Sequence, residues 1–568
     1  MSDEKTAGAP AAVERPTIRV RLDEGEPRVV PTGIRVEEIL EERRSPGGLD
    51  YMGALVNNDV VSLSFSLEVD SRVVPITVEN HHGDRIYRRS IAFLLAKVMH
   101  EMFPAATYGV EHSLGTGLYC TFEQDGRSGI SPEDLDRVDR RMHELVDQDL
   151  PIVRSKVSFE TALRRFEEEQ QRDKYNLLRF RNPPVIVTYE CGGFSDLAHG
   201  VMAARTGLLT MFKLIPYPPG FVIQFPNQDN PLEIPALEEQ PQLFRIFQEH
   251  KEWGRILGLR TVGRLNELIA NGEIRQFMMI SEALHEKKIA RIADEVFDHR
   301  GRIKVICIAG PSSAGKTTMA KRLMVQLRVN GLRPATISVD DYFVDRDNTP
   351  RDEQGNFDFE HVEAIDLKFF NQHVDLLASG KEIEVPYFNF ESGKREFRGK
   401  TMKLNEDQIL ILEGIHCLNP RLTESLEAGH VFKIYVSALG QLNLDRHNRI
   451  STTDSRLLRR LVRDHKFRGH SALTTLQMWP SVRRGEKKWI FPNQRNADIA
   501  FNSALEYELA VLKPMAEPLL AEVKPFEPEY ANARRLMEFL SYFLSAPEDP
   551  VPAASILREY IGNSSFRY

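Results

Sequence analysis

The stretch VICIAGPSSAGKTT, residues 305–318, decides how this chain is read. Val305 to Ile308 is an apolar run of strand length, and Gly310 to Thr317 (GPSSAGKT) fits the spacing GxxxxGK[ST] in full. A helical pattern, Lys316 to Val329, follows at once and stops at Asn330-Gly331. Glycines at this spacing let backbone N–H groups turn inward around a phosphate at a helix N-terminus, so Gly310, Ser312, Ser313, Ala314, Gly315 and Thr318 form the expected cradle. Lys316 supplies a point charge to the β and γ phosphates, and the Thr317 hydroxyl is placed to ligate Mg²⁺. Binding of ATP or GTP is the first functional expectation.

Outward from this loop, apolar runs alternate with helices. Strands are expected at Ala335 to Val339, Ile409 to Leu412 and Val431 to Val436, which together with Val305 to Ile308 predict a parallel sheet with helices on both faces. Ligands of open α/β sheets sit at the carboxyl ends of the strands. Asp340 and Asp341 stand at such an end, where a carboxylate can accept a proton from a substrate hydroxyl; an Asx turn or helix cap is the other use of such a pair. Glu413 ends another strand and can reach Mg²⁺ or its water shell, unless it only closes a turn. Arg456, Arg459, Arg460 and Arg463 share one helix face, with Arg468 just past it, which suits a lid that neutralises a moving phosphoryl group. The basic cluster Arg483, Arg484, Lys487 and Lys488 fits solvent or an RNA contact equally well.

The 568 residues allow roughly three or four domains. With 42% hydrophobic and 27% charged residues, a wholly disordered or collagen-like chain is excluded. A formal charge of −8 gives no general attraction to nucleic acid or anionic membrane, so any anion site must be local. Cys120, Cys191, Cys307 and Cys417 lie far apart without CxxC spacing, which fits a reducing compartment. No run of eighteen apolar residues exists and the first residues are polar, so the expected location is cytoplasmic, with no membrane partner.

The front half is mixed. Residues 1–15 read as a disordered leader; TIRVRL, Thr17 to Leu22, alternates as a strand, Val36 to Glu42 has helical spacing, and Ala54 to Val56 and Val73 to Val78 are short strands. Helices are expected from Tyr87 to Met102, from Pro132 to Asp147 and around Glu160 to Arg172, with a strand at Val185 to Tyr189. Pro231 to Arg300 reads as helical, joining two halves. Beyond Pro514 come Pro518, Pro525 and Pro528, then a helix near Ala533 to Leu544 and another from about Ser555.

The motifs GPSSAGKTT, VDDYF, FEHVEAID, VPYFNF, ILEG, RRLVRDHKFRG and NADIAFNS fall in an order that resembles the uridine kinase and phosphoribulokinase family of P-loop kinases. That resemblance implies ATP and Mg²⁺ as cofactors, Asp340 as base for a 5′-hydroxyl, and Glu360 as the ribose-holding carboxylate where the family more often has Asp. It further implies Tyr342 and Phe388 on the substrate side, phosphate-contacting Arg459, Arg463 and Arg468, and a small-molecule acceptor, foremost a nucleoside. Where pyrimidine-selective members carry a tyrosine and a histidine, this chain has Phe388 and Gly393. Base stacking survives, but the donor that would read a pyrimidine ring does not, which leaves another nucleoside or a different alcohol open, and the arginine face would suit a sugar phosphate as acceptor.

Residues 17 to 80 resemble the TGS module, a small ubiquitin-like fold. The next stretch is similar to the second, α+β editing domain of threonyl-tRNA synthetase, through RRSIAFLLAKVMHEMFP, VDRRMHELVDQDLPI and YECGGFSDLAHG. The editing positions read Arg89, Phe93, Cys191 and Ser195, so editing chemistry is not expected. Three roles stay open for this half: binding a regulatory nucleotide, holding a homo-oligomer, or touching RNA. The expected division is 1–15 leader, 16–78 TGS-like, 79–230 synthetase-like, 231–300 helical linker, 301–512 kinase-like and 513–568 helical tail. A second class of function is an RNA-associated regulatory nucleotide-binding protein.

Overall fold

In the computed structural model, which describes residues 16–424, 428–440 and 442–567, strand Val305–Ala309 is the middle of a five-stranded sheet. The order is Arg333–Ser338, Gln408–Glu413, Val305–Ala309, Val431–Ser437, Ile499–Asn502, and every pairing is parallel. Successive side chains of a strand face opposite ways. Ile306 and Ile308 accordingly enter one core with Met319, Leu323, Leu457 and Leu461, whereas Val305 and Cys307 enter another with Phe370 and Val374. Helices cover both faces, which is why the strand reads as an unbroken apolar run. The strand Ile499–Asn502 and the antiparallel hairpin Ile383–Asn389 with Lys394–Met402 carried no strong period in the sequence.

The segment expected to link two halves is built into this domain. It forms helices Pro241–Ile256, Val262–Ala270 and Ile274–Asp298, and Phe277, Ile289, Ile292 and Val296 join the core beneath the phosphate-loop helix Lys316–Val329. Glu282 receives the Tyr507 hydroxyl at 2.7 Å and faces Arg322 of the loop helix at 3.4 Å. Helix Glu508–Ala521 runs through Pro514 and Pro518. Interior prolines cost about 3 kcal/mol each; here buried Leu509, Val511, Leu512, Leu519 and Leu520 hold the helix against the core.

In the front half, the sheet Arg28–Pro31, Thr17–Leu22, Ser71–Ile76, Gly53–Val56, Asp59–Val61 packs with a single short helix, Val36–Ile39. Behind it, helix His81–Met102 starts at His81 rather than Tyr87, because the Asn80 side chain accepts from the His82 N–H at 2.9 Å and caps it there. The helix expected near Glu160 is Phe159–Glu168, and a second one, Arg172–Leu178, follows. Strands Thr107–Leu114, Gly117–Gln124, Lys213–Tyr217 and Gly220–Gln224 form one antiparallel sheet, and Val153–Ser158, Val185–Cys191 and Phe194–Leu197 another. The leader expected over residues 1–15 lies outside the described residues. Among the described residues no helix is long and apolar enough to cross a membrane.

Charges tie the halves together. Buried Lys174 pairs with Asp196, which takes His447 Nδ1 of the back half at 2.6 Å, while His199 Nε2 meets Asp445 at 3.1 Å. Asp454, on helix Thr452–Arg468, receives both terminal nitrogens of Arg535 at 2.8 Å and Arg85 of the front half at 3.3 Å. Burial alone would raise the Asp454 carboxyl, yet the guanidiniums of Arg535 and Arg85 hold it at about 2, below the ordinary 3.8. A depressed carboxylate stabilises the fold above its unfolded pKa, and that contribution is lost as pH falls through the folded one. Urea unfolding between pH 4 and pH 2 should therefore lose stability more steeply in the wild type than in Asp454→Asn; parallel curves would count against this role.

Candidate active site

The carboxyl ends of three neighbouring strands meet on one edge of the parallel sheet, and each delivers a charged group: Lys316 after Val305–Ala309, Asp340 after Arg333–Ser338, and Glu413 at the end of Gln408–Glu413. A Cβ at Gly310 would lie 2.0 Å from the Val436 carbonyl oxygen, so the loop can leave its strand here only as glycine. Ser313 (φ 58°) and Gly315 (φ 85°) take the left-handed conformation that curls successive amides toward a common centre.

Carboxylates already seat on two of these amides. The Ser312 N–H donates to Glu486 Oε1 at 3.1 Å; the Thr318 N–H and hydroxyl donate to Glu559 Oε2 at 3.2 and 2.6 Å. Guanidiniums brace the outside of the loop: Arg456 Nε donates to the Ser312 carbonyl and Arg460 Nη1 to the Ser312 hydroxyl, both at 2.9 Å, and Arg459 reaches the Ser313 carbonyl at 3.4 Å.

Inside the cleft the carboxylates are short of partners. Burial raises Asp340 against the pull of Lys316, Arg468 and Arg463, and its Oδ1 has no hydrogen-bond partner among the described residues. Burial and the nearby Glu486 push Glu360 up to about 7, opposed by Arg460 and Lys316, and its Oε2 is likewise unpartnered. Glu413, with Thr317 beside it, is pushed up to about 8 by burial and by Asp340 and Glu559, against Lys316. Asp341 is spent differently: its Oδ1 accepts from the Phe388 N–H at 3.2 Å, which docks the hairpin onto the site. Burial still moves that carboxyl up to about 6.

Lys316, Thr317, Asp340, Glu360, Glu413, Arg463 and Arg468 thus converge. Two other expected residues do not. Tyr342 is fully buried, and its hydroxyl is bound by His373 Nδ1 at 3.0 Å within the core. Arg459 is fully buried and committed to Glu508 and the Ser503 carbonyl. The arginine face expected as a lid is largely internal: Arg456 pairs with Glu486 and Arg460 with Asp464, while Arg463 and Arg468 share Asp464 at 2.8 and 3.5 Å. Each member of the cluster at 483–488 has a carboxylate: Arg483 with Glu486, Arg484 with Asp352, Lys487 with Asp229, Lys488 with Glu353. Glu486 and Glu559 escaped sequence reasoning, the first hidden in a basic run, the second remote in sequence with no local pattern.

Phe388 is buried against Phe343 and Phe390, at ring separations of 5.5 and 5.1 Å. Gly393 has φ 69°, and a Cβ there would lie 2.7 Å from Arg346 Nε, so Arg346 fills the space a larger side chain would need. In the front half, Arg89 donates to the Val201 carbonyl, Phe93 packs on Phe194 at 5.4 Å, Ser195 accepts from Arg165 at 2.8 Å, and burial raises the Cys191 thiol. None of these contacts forms a nucleophile–base pair, and Arg89 and Phe93 lie on the wall of a cavity between the halves.

Glu360 supplies a stability test. A carboxylate whose folded pKa is raised loses stability as pH climbs from its unfolded value to about 7. Glu360→Gln should gain stability over wild type at pH 8 and much less at pH 5, read by urea midpoints; a gain independent of pH would contradict the assigned burial.

Residues 305–510 match the model of the "Phosphoribulokinase / Uridine kinase family". Among curated proteins, the Threonine–tRNA ligase of Desulforamulus reducens is 28% identical over 199 residues, 35% of this chain and 31% of that protein. That of Symbiobacterium thermophilum is 30% identical over 199 residues, 35% of this chain and 30% of that protein. The chain spans about a third of the length of the curated relatives it matches. Among solved structures, a "Possible Uridine Kinase" from Bacillus stearothermophilus is 20% identical, covering 35% of this chain and 89% of that one, with a TM-score of 0.24. Residues 305–510 of the back half thus match the phosphoribulokinase and uridine kinase family model, and the front half is similar to part of threonyl-tRNA ligases.

Proposed function

We propose that this chain is an ATP-dependent kinase that phosphorylates a hydroxyl of a neutral small molecule, foremost the 5′-hydroxyl of a nucleoside. The observation that carries the reading is Asp340: a buried carboxylate with an unpartnered oxygen, facing Lys316 and two arginines at the carboxyl edge of a parallel sheet. A carboxylate so placed can hold an acceptor hydroxyl and take its proton as the oxygen attacks.

The residues present fit the expected cofactors. Glu486 and Glu559 stand as anions where loop amides would receive phosphate oxygens, and Glu413, raised to about 8 beside Thr317, is a carboxylate that a divalent cation would relieve. When bound, ATP·Mg²⁺ supplies the phosphoryl group and the charge that neutralises it. Gly310 to Thr318 hold its phosphates, Thr317 and Glu413 its metal, and Glu559 must leave Thr318 first. Lys316, Arg463 and Arg468 compensate charge that builds on the transferring group, and Glu360 binds the acceptor.

Three guanidiniums of the arginine face are spent on Glu486, Glu508 and Asp464. That supports a neutral acceptor over a sugar phosphate. Phe388 and Gly393, with Arg346 against the latter, leave no histidine to read a pyrimidine edge, so the acceptor's base is read loosely or through Arg346.

ADP release across uridine, cytidine, purine nucleosides and ribulose 5-phosphate tests this reading. Turnover on a nucleoside should fall by roughly 10²- to 10⁴-fold in Asp340→Asn, the range of general-base loss, and comparably in Lys316→Ala. Full turnover in either variant would sink it. Glu559→Gln, which weakens the carboxylate's hold on Thr318, should lower the KM for ATP with kcat little changed; a raised KM would mean that Glu559 belongs to the nucleotide pocket instead.

A further inference from the structure

Between the two halves lies a cavity of about 1140 Å³, walled by helix His81–Met102 in front and by helices Thr452–Arg468 and Tyr530–Leu540 behind. It is separate from the phosphate loop: Arg456 and Arg483 form the wall on that side, and their shared carboxylate Glu486 stands between cavity and loop. Drug-sized and cofactor ligands occupy pockets of roughly 300 to 1,000 Å³, so this space admits a metabolite whole.

Its charge is unbalanced. Arg85, Arg89 and Arg535 lie close together and Arg449 joins them through Asp454; with Asp454 and the exposed Glu538 as their carboxylates, the four cations are two negative charges short. Other basic groups on the wall are paired, Arg88 with Asp84 at 2.9 Å and Lys487 with Asp229 at 2.8 Å. Glu79 and Glu238, also on the lining, are exposed. Among the described residues, Arg89 has the Val201 carbonyl and Arg449 the Ser113 hydroxyl as their only hydrogen-bond acceptors. The Nε atoms of Arg449 and Arg535 are buried without an acceptor among the described residues. Burial first, then the neighbouring arginines, lowers Arg85 and Arg449 to about 10, the mark of cations held close without enough counter-charge. His81, pressed down to about 4 by burial and by Arg85 and Arg535, adds no charge of its own at neutral pH.

A phosphate monoester carries close to two negative charges at neutral pH and offers three acceptor oxygens, the complement of several guanidiniums in fork geometry. We infer that this cavity is a binding site for a small molecule bearing a phosphate dianion, held by Arg449 and Arg535 with Arg85 and Arg89 in support. A two-charge deficit suits one phosphate, whereas an RNA backbone would have to approach a chain of net charge −8.

Isothermal titration of the full chain with AMP, ribose 5-phosphate, inorganic phosphate and adenosine tests the inference. The phosphates should bind this cavity, whereas any binding of adenosine, which lacks a phosphate and belongs to the acceptor side of the kinase cleft, should be unchanged in Arg449→Gln and Arg535→Gln. Arg449→Gln and Arg535→Gln should each weaken binding at least tenfold, Arg449→Lys less so, and Lys316→Ala should change it less than twofold. Tighter binding of AMP or ribose 5-phosphate than of inorganic phosphate assigns an organic phosphate, and equal binding assigns free phosphate; either supports the site. Kinase turnover kept by the arginine variants certifies their fold, and if no acceptor is ever turned over, a wild-type unfolding midpoint serves that purpose. Binding untouched by all three variants, binding lost with Lys316→Ala, no binding of any phosphate, or binding of an RNA oligonucleotide alone would each overturn the inference.

Discussion

The back half is organised by one constraint: the guanidiniums on a single face of helix Thr452–Arg468 are removed from water and must find carboxylates and carbonyls nearby. Arg456, Arg459 and Arg460 are 2%, 0% and 5% exposed. Breaking a buried, hydrogen-bonded ion pair leaves an uncompensated charge worth several kcal/mol. The geometry that avoids this fixes Glu486, Glu508 and Asp464 at set places and lays the Ser312 and Ser313 carbonyls on the helix. The phosphate loop thus takes its outer support from arginines and its inner curvature from its own left-handed residues. One carboxylate, Glu486, belongs both to this support and to the Ser312 amide.

The cleft shows the opposite economy. Asp340, Glu360 and Glu413 are buried close enough to repel one another, and cations only partly offset them. Such a set is poor for stability taken alone and makes sense in a site that receives metal, nucleotide and a hydroxyl. Asp341, one residue from Asp340, marks the boundary, since its bond to the Phe388 amide turns an acidic pair into one chemical group and one structural one.

Much of this was legible where the signal is local. The loop, its strand and its helix lie within 25 consecutive residues of unmistakable spacing, and the parallel order follows from apolar runs alternating with helices. The arginine periodicity placed four side chains on one face correctly, but it could not tell a solvent-facing lid from a buried brace, because Glu486 and Glu508 come from other elements. Tyr342 reads as a site residue by its neighbours and is core by its packing on Phe370 and its bond to His373. Helix Glu508–Ala521 defies its two prolines for the same reason, that tertiary burial outweighs local preference. Of the front half, the helices with capping residues were readable, whereas strand Gly117–Gln124 takes Thr107–Leu114 on one side and Gly220–Gln224, about a hundred residues away, on the other.

The contact between Thr318 and Glu559 spans 241 residues of chain. As a ribosome delivers the polypeptide from its N-terminus, the phosphate loop emerges well before the helix Arg558–Ile561 that closes over it, and before the Ser555 that joins Tyr507 on Glu282. The front half and most of the parallel sheet are made first, so the stretch that finishes the cradle comes late relative to the loop it closes. A chain released early would carry a legible phosphate-loop sequence with half its surroundings missing, and the order of synthesis thereby acts as a check on completeness.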